Sequence, residues 1–272
     1  MEMLGFPAPL LGEKPLRLPV LSQGPGWVVL DKPAGIATHP HPAYKGGFAL
    51  DRAMQVKARA LQPEWLRILP GINGGIKSCY FLEPGLLGGP ALFSWEPSLL
   101  HPLRNAYGSR LFQFQFQLLA RDRKPEKGTK RICELPLTDP GSNLRSVRVS
   151  HRRGKTARTC FHLVEAFPGQ GWAMWRAETR LLRPGQLTVH ALECGLAISG
   201  DADFAGEAPI FREHFYRNRR MEATPLLPGP AIRLAAVHFP ADWGGRTGDL
   251  PCGRVEAPEP KLWTVVLRKL RG

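Results

Sequence analysis

From Phe112 to Leu118 the chain reads Phe-Gln-Phe-Gln-Phe-Gln-Leu, a strict alternation that predicts a β-strand with one face on a core. Residues 157–167 and 172–179 alternate more weakly around Pro168-Gly169-Gln170-Gly171 and predict a long hairpin. Apolar runs at 27–30, 76–82, 90–93 and 262–267 read as further strands, the first closed by the turn Asp31-Lys32-Pro33-Ala34-Gly35. Leu50, Met54, Ala58 and Leu61 recur at helical spacing, predicting an amphipathic helix over 48–61 that Pro63 ends.

Strands outnumber helices and do not alternate regularly with them. The expected fold class is therefore α+β, a mixed, largely antiparallel twisted sheet with flanking helices and loops. Residues 1–24, rich in Pro, Gly and Leu, read as an N-terminal arm on the surface, and residues 25–272 as one domain with no internal repeat.

At 272 residues and 43% hydrophobic content the chain can bury a sizeable core without staples. Five cysteines, an odd number with no Cys-x-x-Cys pair, indicate neither a disulfide framework nor a zinc ribbon, and point to a reducing compartment. No signal-peptide pattern opens the chain and no apolar run is long enough to span a bilayer, so a soluble, cytoplasmic protein without a membrane partner is expected.

The net charge of +14 changes the picture, because such a field attracts polyanions. Between Arg121 and Arg158 lie twelve basic residues against four acidic ones. A second cluster, Arg212, Arg217, Arg219 and Arg220 around Glu213, interleaves with Phe211, Phe215 and Tyr216, combining phosphate neutralisation with base stacking. Lys124, Lys130, Arg131, Arg152, Arg153, Lys155, Arg219 and Arg220 are accordingly candidate RNA contacts.

Three other chemistries find little footing. Gly154-Lys155-Thr156 lacks the glycine that a phosphate loop needs five positions earlier, where Val149 stands. His39 and His41 flank Pro40 without a suitably spaced third ligand, so no metal site is expected. No Gly-x-Ser-x-Gly elbow marks a nucleophilic serine.

Four segments, taken in order, resemble the RluA-type RNA pseudouridine synthases. Val28-Val29-Leu30-Asp31-Lys32-Pro33-Ala34-Gly35 with Thr38-His39-Pro40 is similar to the family's opening strand and Lys-Pro-x-Gly turn. Gly154-Lys155-Thr156-Ala157-Arg158-Thr159 resembles its Gly-Lys-x-Ala-x-Thr segment. Glu178-Thr179, Arg183 to His190 and Gly200-Asp201 resemble its Glu-Thr-Gly-Arg-Thr-His-Gln-Ile-Arg-Val-His and Gly-Asp, with two extra residues before His190. Ala257-Pro258-Glu259-Pro260 is similar to the closing Ala-Pro-x-Pro run. The resemblance implies a mixed-sheet domain with an RNA cleft, acting on structured RNA (rRNA or tRNA) and converting uridine to pseudouridine without a cofactor.

The same resemblance locates departures from the family pattern. Where the family has its catalytic aspartate in His-Arg-Leu-Asp, this chain has Tyr80-Phe81-Leu82-Glu83, making Glu83 the implied catalytic carboxylate. One extra methylene moves its oxygens by about 1 Å, and such a displacement can cost roughly a hundredfold in rate. Phe81 takes the place of the adjacent arginine, and Thr188 that of the arginine that pairs with the carboxylate. Without that cation, a desolvated Glu83 should have a raised pKa. Arg183 and Arg180 are the candidates to replace it. Phe116 stands where the family has a base-contacting tyrosine, and stacking or plain core packing would each suit it. Tyr80, Phe116, Arg183, Thr188 and Lys32 form the implied substrate-contact set.

Three functions compete on these grounds: a pseudouridine synthase using Glu83 with weak or lost activity, a non-catalytic RNA-binding or ribosome-assembly factor, and a protein-interaction scaffold on the same fold.

Overall fold

The structure, a computed structural model, describes residues 1–44, 47–204, 208–210, 225–243 and 250–272. Its elements in chain order are β1 (Met3–Phe6), β2 (Leu16–Gly24), β3 (Trp27–Pro33), β4 (Ile36–Ala37), β5 (Phe48–Ala49), α1 (Leu50–Arg59), α2 (Pro63–Ile68), β6 (Lys77–Ser78), β7 (Gly88–Ser94) and α3 (Pro97–Gly108). Then come β8 (Gln113–Asp122), β9 (Lys130–Cys133), β10 (Thr159–Phe167), β11 (Trp172–Thr179), α4 (Gln186–Glu193), β12 (Leu196–Ile198), β13 (Ile232–Phe239), β14 (Gly253–Glu256) and α5 (Lys261–Arg271). None of the described helices is long and apolar enough to cross a membrane.

Two antiparallel sheets share one core. The first has strand order β1-β2-β3-β7-β6, and the second β14-β13-β8-β11-β10-β9 with β12 pairing against the end of β8. The α+β class with a largely antiparallel sheet holds, and a two-residue pairing of β4 with β5 is parallel. The alternating strand behaves as its pattern demands: Phe114, Phe116 and Leu118 point into the main core while Gln113, Gln115 and Gln117 stay half-buried on the opposite face. β10 and β11 form the expected hairpin, with a bulge between Leu163 and Glu165.

The sheets come closest where β7 crosses β13. Leu87 donates its backbone N–H to Ile232 at 2.8 Å, and a Cβ on Gly89 would lie 2.4 Å from that of Leu234. Gly89 is therefore fixed by contact, in addition to its φ of +143°.

Three expectations are corrected. Residues 1–24 are not a surface arm: they form β1 and β2 of the first sheet, and Leu4, Phe6, Leu11 and Leu18 are buried. Pro7, Pro9 and Pro15 fall between the strands, where no ladder donor is needed. Residues 262–267 are helical and lie inside α5, whose Trp263, Val266, Leu267 and Leu270 bury one stripe against Leu119, Trp172 and Met174. The β-branched run Thr264-Val265-Val266 imitates a strand in a window too short to reveal the helical period. Of the run 76–82 only Lys77–Ser78 pairs as a strand, and the residues after it form the loop that carries Glu83. Pro63 opens α2 as well as closing the preceding segment, since a first-turn proline loses no helical hydrogen bond.

Candidate functional site

The Lys-Pro-Ala-Gly turn is the scaffold on which Glu83 is mounted. Gly35, at φ +79°, reverses the chain after β3 and donates its N–H to the Pro84 carbonyl at 2.8 Å. Thr38, fully buried, clamps the same segment: its N–H reaches the Leu82 carbonyl at 3.2 Å, and its hydroxyl donates to the Tyr80 carbonyl at 3.1 Å while accepting from Leu82 N–H at 3.0 Å. Lys32 threads the turn from below. Its ammonium, 0% exposed, donates to the carbonyls of Ile36 (2.8 Å), Pro33 (2.9 Å) and Leu86 (3.5 Å), tying both sides of the Glu83 loop together.

From across the cleft comes α4. Gln186 fixes its start by donating to the Arg158 carbonyl and to the hydroxyls of Thr159 and Thr179, each at 3.1 Å. His190 pins its middle, with Nε2 donating to the Leu135 carbonyl and Nδ1 facing the Thr159 hydroxyl, both at 2.9 Å. Gly185, left-handed at φ +69°, precedes the helix and donates its N–H to Glu83 Oε1 at 2.9 Å. The Tyr44 hydroxyl donates to Oε2. Both carboxylate oxygens of Glu83 are thus engaged, by neutral donors.

Electrostatics at Glu83 are a contest. Burial pushes its pKa above the ordinary carboxylate value and dominates, while the Tyr44 and Gly185 hydrogen bonds and the Lys32 charge pull it down, and Asp201 pushes it further up. Lys32 answers in kind: burial brings its ammonium down to about 7 against the attraction of Glu83 and Asp31. A cavity of about 120 Å³ opens beside the carboxylate, with Tyr44, Thr188, Asp201 and Phe204 among its walls.

The expected site residues separate into groups. Glu83 and Thr188 line the cavity and Lys32 stands behind it within electrostatic range. Two assignments are corrected by burial. Phe116 is 0% exposed, between Ala177 and Leu234 in the sheet, so it is a core residue and not a stacking face. Tyr80 is also in the core, its hydroxyl on the Pro90 carbonyl at 2.8 Å and its ring edge-on to Phe114. Arg183 does not reach Glu83. Its Nε donates to the Thr156 carbonyl at 3.0 Å, and among the described residues the cation acting on the carboxylate is Lys32.

The basic residues divide similarly. Lys124, Lys130, Arg152, Arg153 and Lys155 are exposed, Lys155 paired with Asp139 at 2.7 Å. Arg131 is corrected to a structural role: 5% exposed, it bonds Asp122 and the Cys194 carbonyl at 2.9 Å each and lies over Trp175. Arg219 and Arg220 lie outside the described residues. A second groove, of about 750 Å³, runs along the polar face of β10 and β11 and is lined by Arg110, Lys130, Arg158 and Arg180 together with Glu178. Sequence reasoning missed Tyr44, Gly185 and Phe204. Gly200-Asp201 pointed to the neighbourhood of the last, whereas nothing in the loop after His41 marks Tyr44.

Against solved structures the chain is similar to human RNA pseudouridylate synthase domain containing 4, with a TM-score of 0.64 at 15% identity over 93% of this chain and 92% of that one. It is also similar to human RNA pseudouridylate synthase domain containing 1, with a TM-score of 0.53 at 13% identity over 94% of this chain and 95% of that one. The chain has the pseudouridine synthase fold. No family model matches it and no curated protein matches it in sequence. At such low identity the likeness is one of fold.

Proposed function

We propose that the chain is an RNA-binding protein of RluA-like descent whose cavity beside Glu83 receives an extruded uridine of structured RNA, rRNA or tRNA, and whose isomerising activity is weak or lost. The observation that carries this reading is the state of Glu83: both oxygens are bound by Tyr44 and Gly185, burial favours its protonated form, and a lysine already committed to three carbonyls is its cation. A carboxylate so held is a poor nucleophile or base toward a ribose. The exposed cations on 124–155 and the groove lined by Arg110, Arg158 and Arg180 support binding of a phosphate backbone, which would offset the few kcal/mol that extruding a base costs. The five free thiols suit a reducing compartment, so we place the protein in the cytoplasm.

A second reading, a working synthase, is favoured by one fact: Glu83 does line the cavity, with Lys32 in electrostatic range. One experiment separates the readings. Purified chain and its Glu83→Ala variant are titrated with rRNA and tRNA transcripts at rising salt, then the RNA is digested and pseudouridine measured by mass spectrometry. Steeply salt-dependent binding with equal, background pseudouridine supports the proposal. Product formed by wild type and absent from Glu83→Ala establishes the synthase. Binding that is flat in salt, or absent, removes both and leaves a protein-interaction scaffold.

A further inference from the structure

Phe81 stands in the loop that carries Glu83, yet its ring belongs to none of the buried apolar clusters. Its ring partners are His41, stacked at 4.8 Å and 29°, His39, edge-on at 5.0 Å, and Tyr44, tilted at 5.7 Å. All four side chains are half-buried. His39 and His41, the pair that flanks Pro40, both make polar contacts. Each presents Nδ1 to a local partner, His39 to the Ser78 hydroxyl at 2.6 Å and His41 to the Ala43 N–H at 3.2 Å. Burial, with the nearby Arg104 charge, lowers the His39 pKa to about 4, and burial also lowers that of His41, so both rings favour the neutral form.

We propose that Phe81, His41 and His39 form a stacking shelf for an unpaired nucleobase of the RNA strand that flanks the cavity. Continuity places the shelf there: Tyr44 touches Phe81 and His41 on one side and bonds Glu83 on the other, so shelf and cavity share a wall. Charge selects the occupant. Arg104 acts on His39, and the carboxylate whose charge acts on His41, Asp139, is already paired with Lys155, so an aromatic ligand carrying phosphate fits better than an acidic or apolar peptide. Stacking on aromatic side chains is tolerant of sequence because every base has a π-face, and it adds affinity to what phosphate contacts supply. This inference rests on the RNA-binding reading above and adds to it a second base contact, outside the cavity.

The test compares the full-length chain with Phe81→Ala, Phe81→Trp and His41→Ala, after melting curves show that each is folded. The probes are a short single-stranded oligoadenylate and an abasic ribose-phosphate oligomer of the same length. The shelf requires Phe81→Ala to bind oligoadenylate about tenfold more weakly than wild type, Phe81→Trp to keep wild-type affinity, and all forms to bind the abasic oligomer equally. Salt-dependent binding of oligoadenylate that is the same in wild type, Phe81→Ala and His41→Ala overturns the shelf and leaves RNA binding standing. Absence of salt-dependent binding to either probe and to structured RNA overturns both.

Discussion

Tyr44 and Glu83, 39 residues apart, meet through a hydrogen bond from the phenol to Oε2 of the carboxylate. That bond favours the charged form of Glu83, against a burial effect that raises its pKa above the usual 4.5. The folded protein therefore holds a proton on Glu83 in a window above 4.5 where the unfolded chain has released it, and the contribution of Glu83 to stability falls as pH rises through that window. Tyr44→Phe should raise the Glu83 pKa further and extend the window upward. The expected loss of stability is about 1–2 kcal/mol near neutrality and much less below the unfolded value. Carboxyl-carbon NMR titration with urea unfolding across pH reads both effects, and an unmoved Glu83 titration would contradict the bond's role.

Lys32 gives the opposite signature on the alkaline side. Its folded pKa of about 7, against the usual 10.5, means that between these values the unfolded chain binds the extra proton, so stability rises with pH there. The slope has a ceiling of about 1.4 kcal/mol per pH unit. Lys32→Met removes the titration and leaves carbonyls of the turn without their donor, at a cost of about 1–3 kcal/mol. The deficit of the variant relative to wild type should widen as pH climbs through that window. Equal deficits at both ends would show that Lys32 is charged in the fold throughout.

The fold was largely legible because its signals are local and periodic: the Phe-Gln alternation of β8, the hairpin turn at 168–171, and the glycine-bearing turn after β3. The errors share a cause. β1, β2 and α5 escape a reading by pattern because proline content and β-branching are averages over a few residues, and tertiary burial outvotes them. Glu83 and Thr188 are located by motif order, which encodes their shared place in the fold. Phe116 and Tyr80 sit in the right motifs, but motif position does not report whether a ring faces a cavity or a core. Tyr44 had no signal, since its role depends on a loop closing over a residue 39 positions away.

Burial also divides the arginines of the basic stretch. Arg131, paired with Asp122 and stacked over Trp175, should cost about 2–3 kcal/mol when changed to alanine, because the half-buried Asp122 carboxylate and the Cys194 carbonyl lose their donor. Arg152→Ala and Arg153→Ala, at exposed positions, should leave stability within about 0.5 kcal/mol of wild type. Each should reduce the salt slope of RNA binding by about one unit. Denaturant titration and binding isotherms at several salt concentrations test the division, which fails if Arg131→Ala is stable and alters the slope alone.

Gly89 and Gly35 both have positive φ, yet they should respond differently to a methyl group. At Gly89 a Cβ would meet Leu234 at 2.4 Å and its carbonyl oxygen at 2.6 Å, so Gly89→Ala combines backbone strain with a collision between the sheets. The expected loss is roughly 3 kcal/mol or more. At Gly35, φ +79°, the same Cβ meets nothing within 4 Å, so Gly35→Ala should cost only the left-handed penalty of about 1–2 kcal/mol. Thermal unfolding of both variants decides the matter, and equal losses would refute the close crossing of β7 and β13.

Thr188 and Glu83 line one cavity, which makes the proposed loss of activity open to repair. Glu83→Asp retracts the carboxylate by about 1 Å, loosening it from the Tyr44 hydroxyl and the Gly185 amide and turning it toward the space beside Thr188. On its own that change exposes a carboxylate still served by Lys32, a cation occupied with three carbonyls. Thr188 is half-buried on the facing helix α4, so an arginine there can reach the cavity and supply a bidentate partner that keeps the aspartate charged. The double variant Glu83→Asp with Thr188→Arg should therefore form pseudouridine at least about tenfold faster than wild type, with neither single change sufficient. Product levels in the folded double variant no higher than in Glu83→Ala would mean that the cavity does not hold uridine in a reactive pose, and that the fault lies beyond these two side chains.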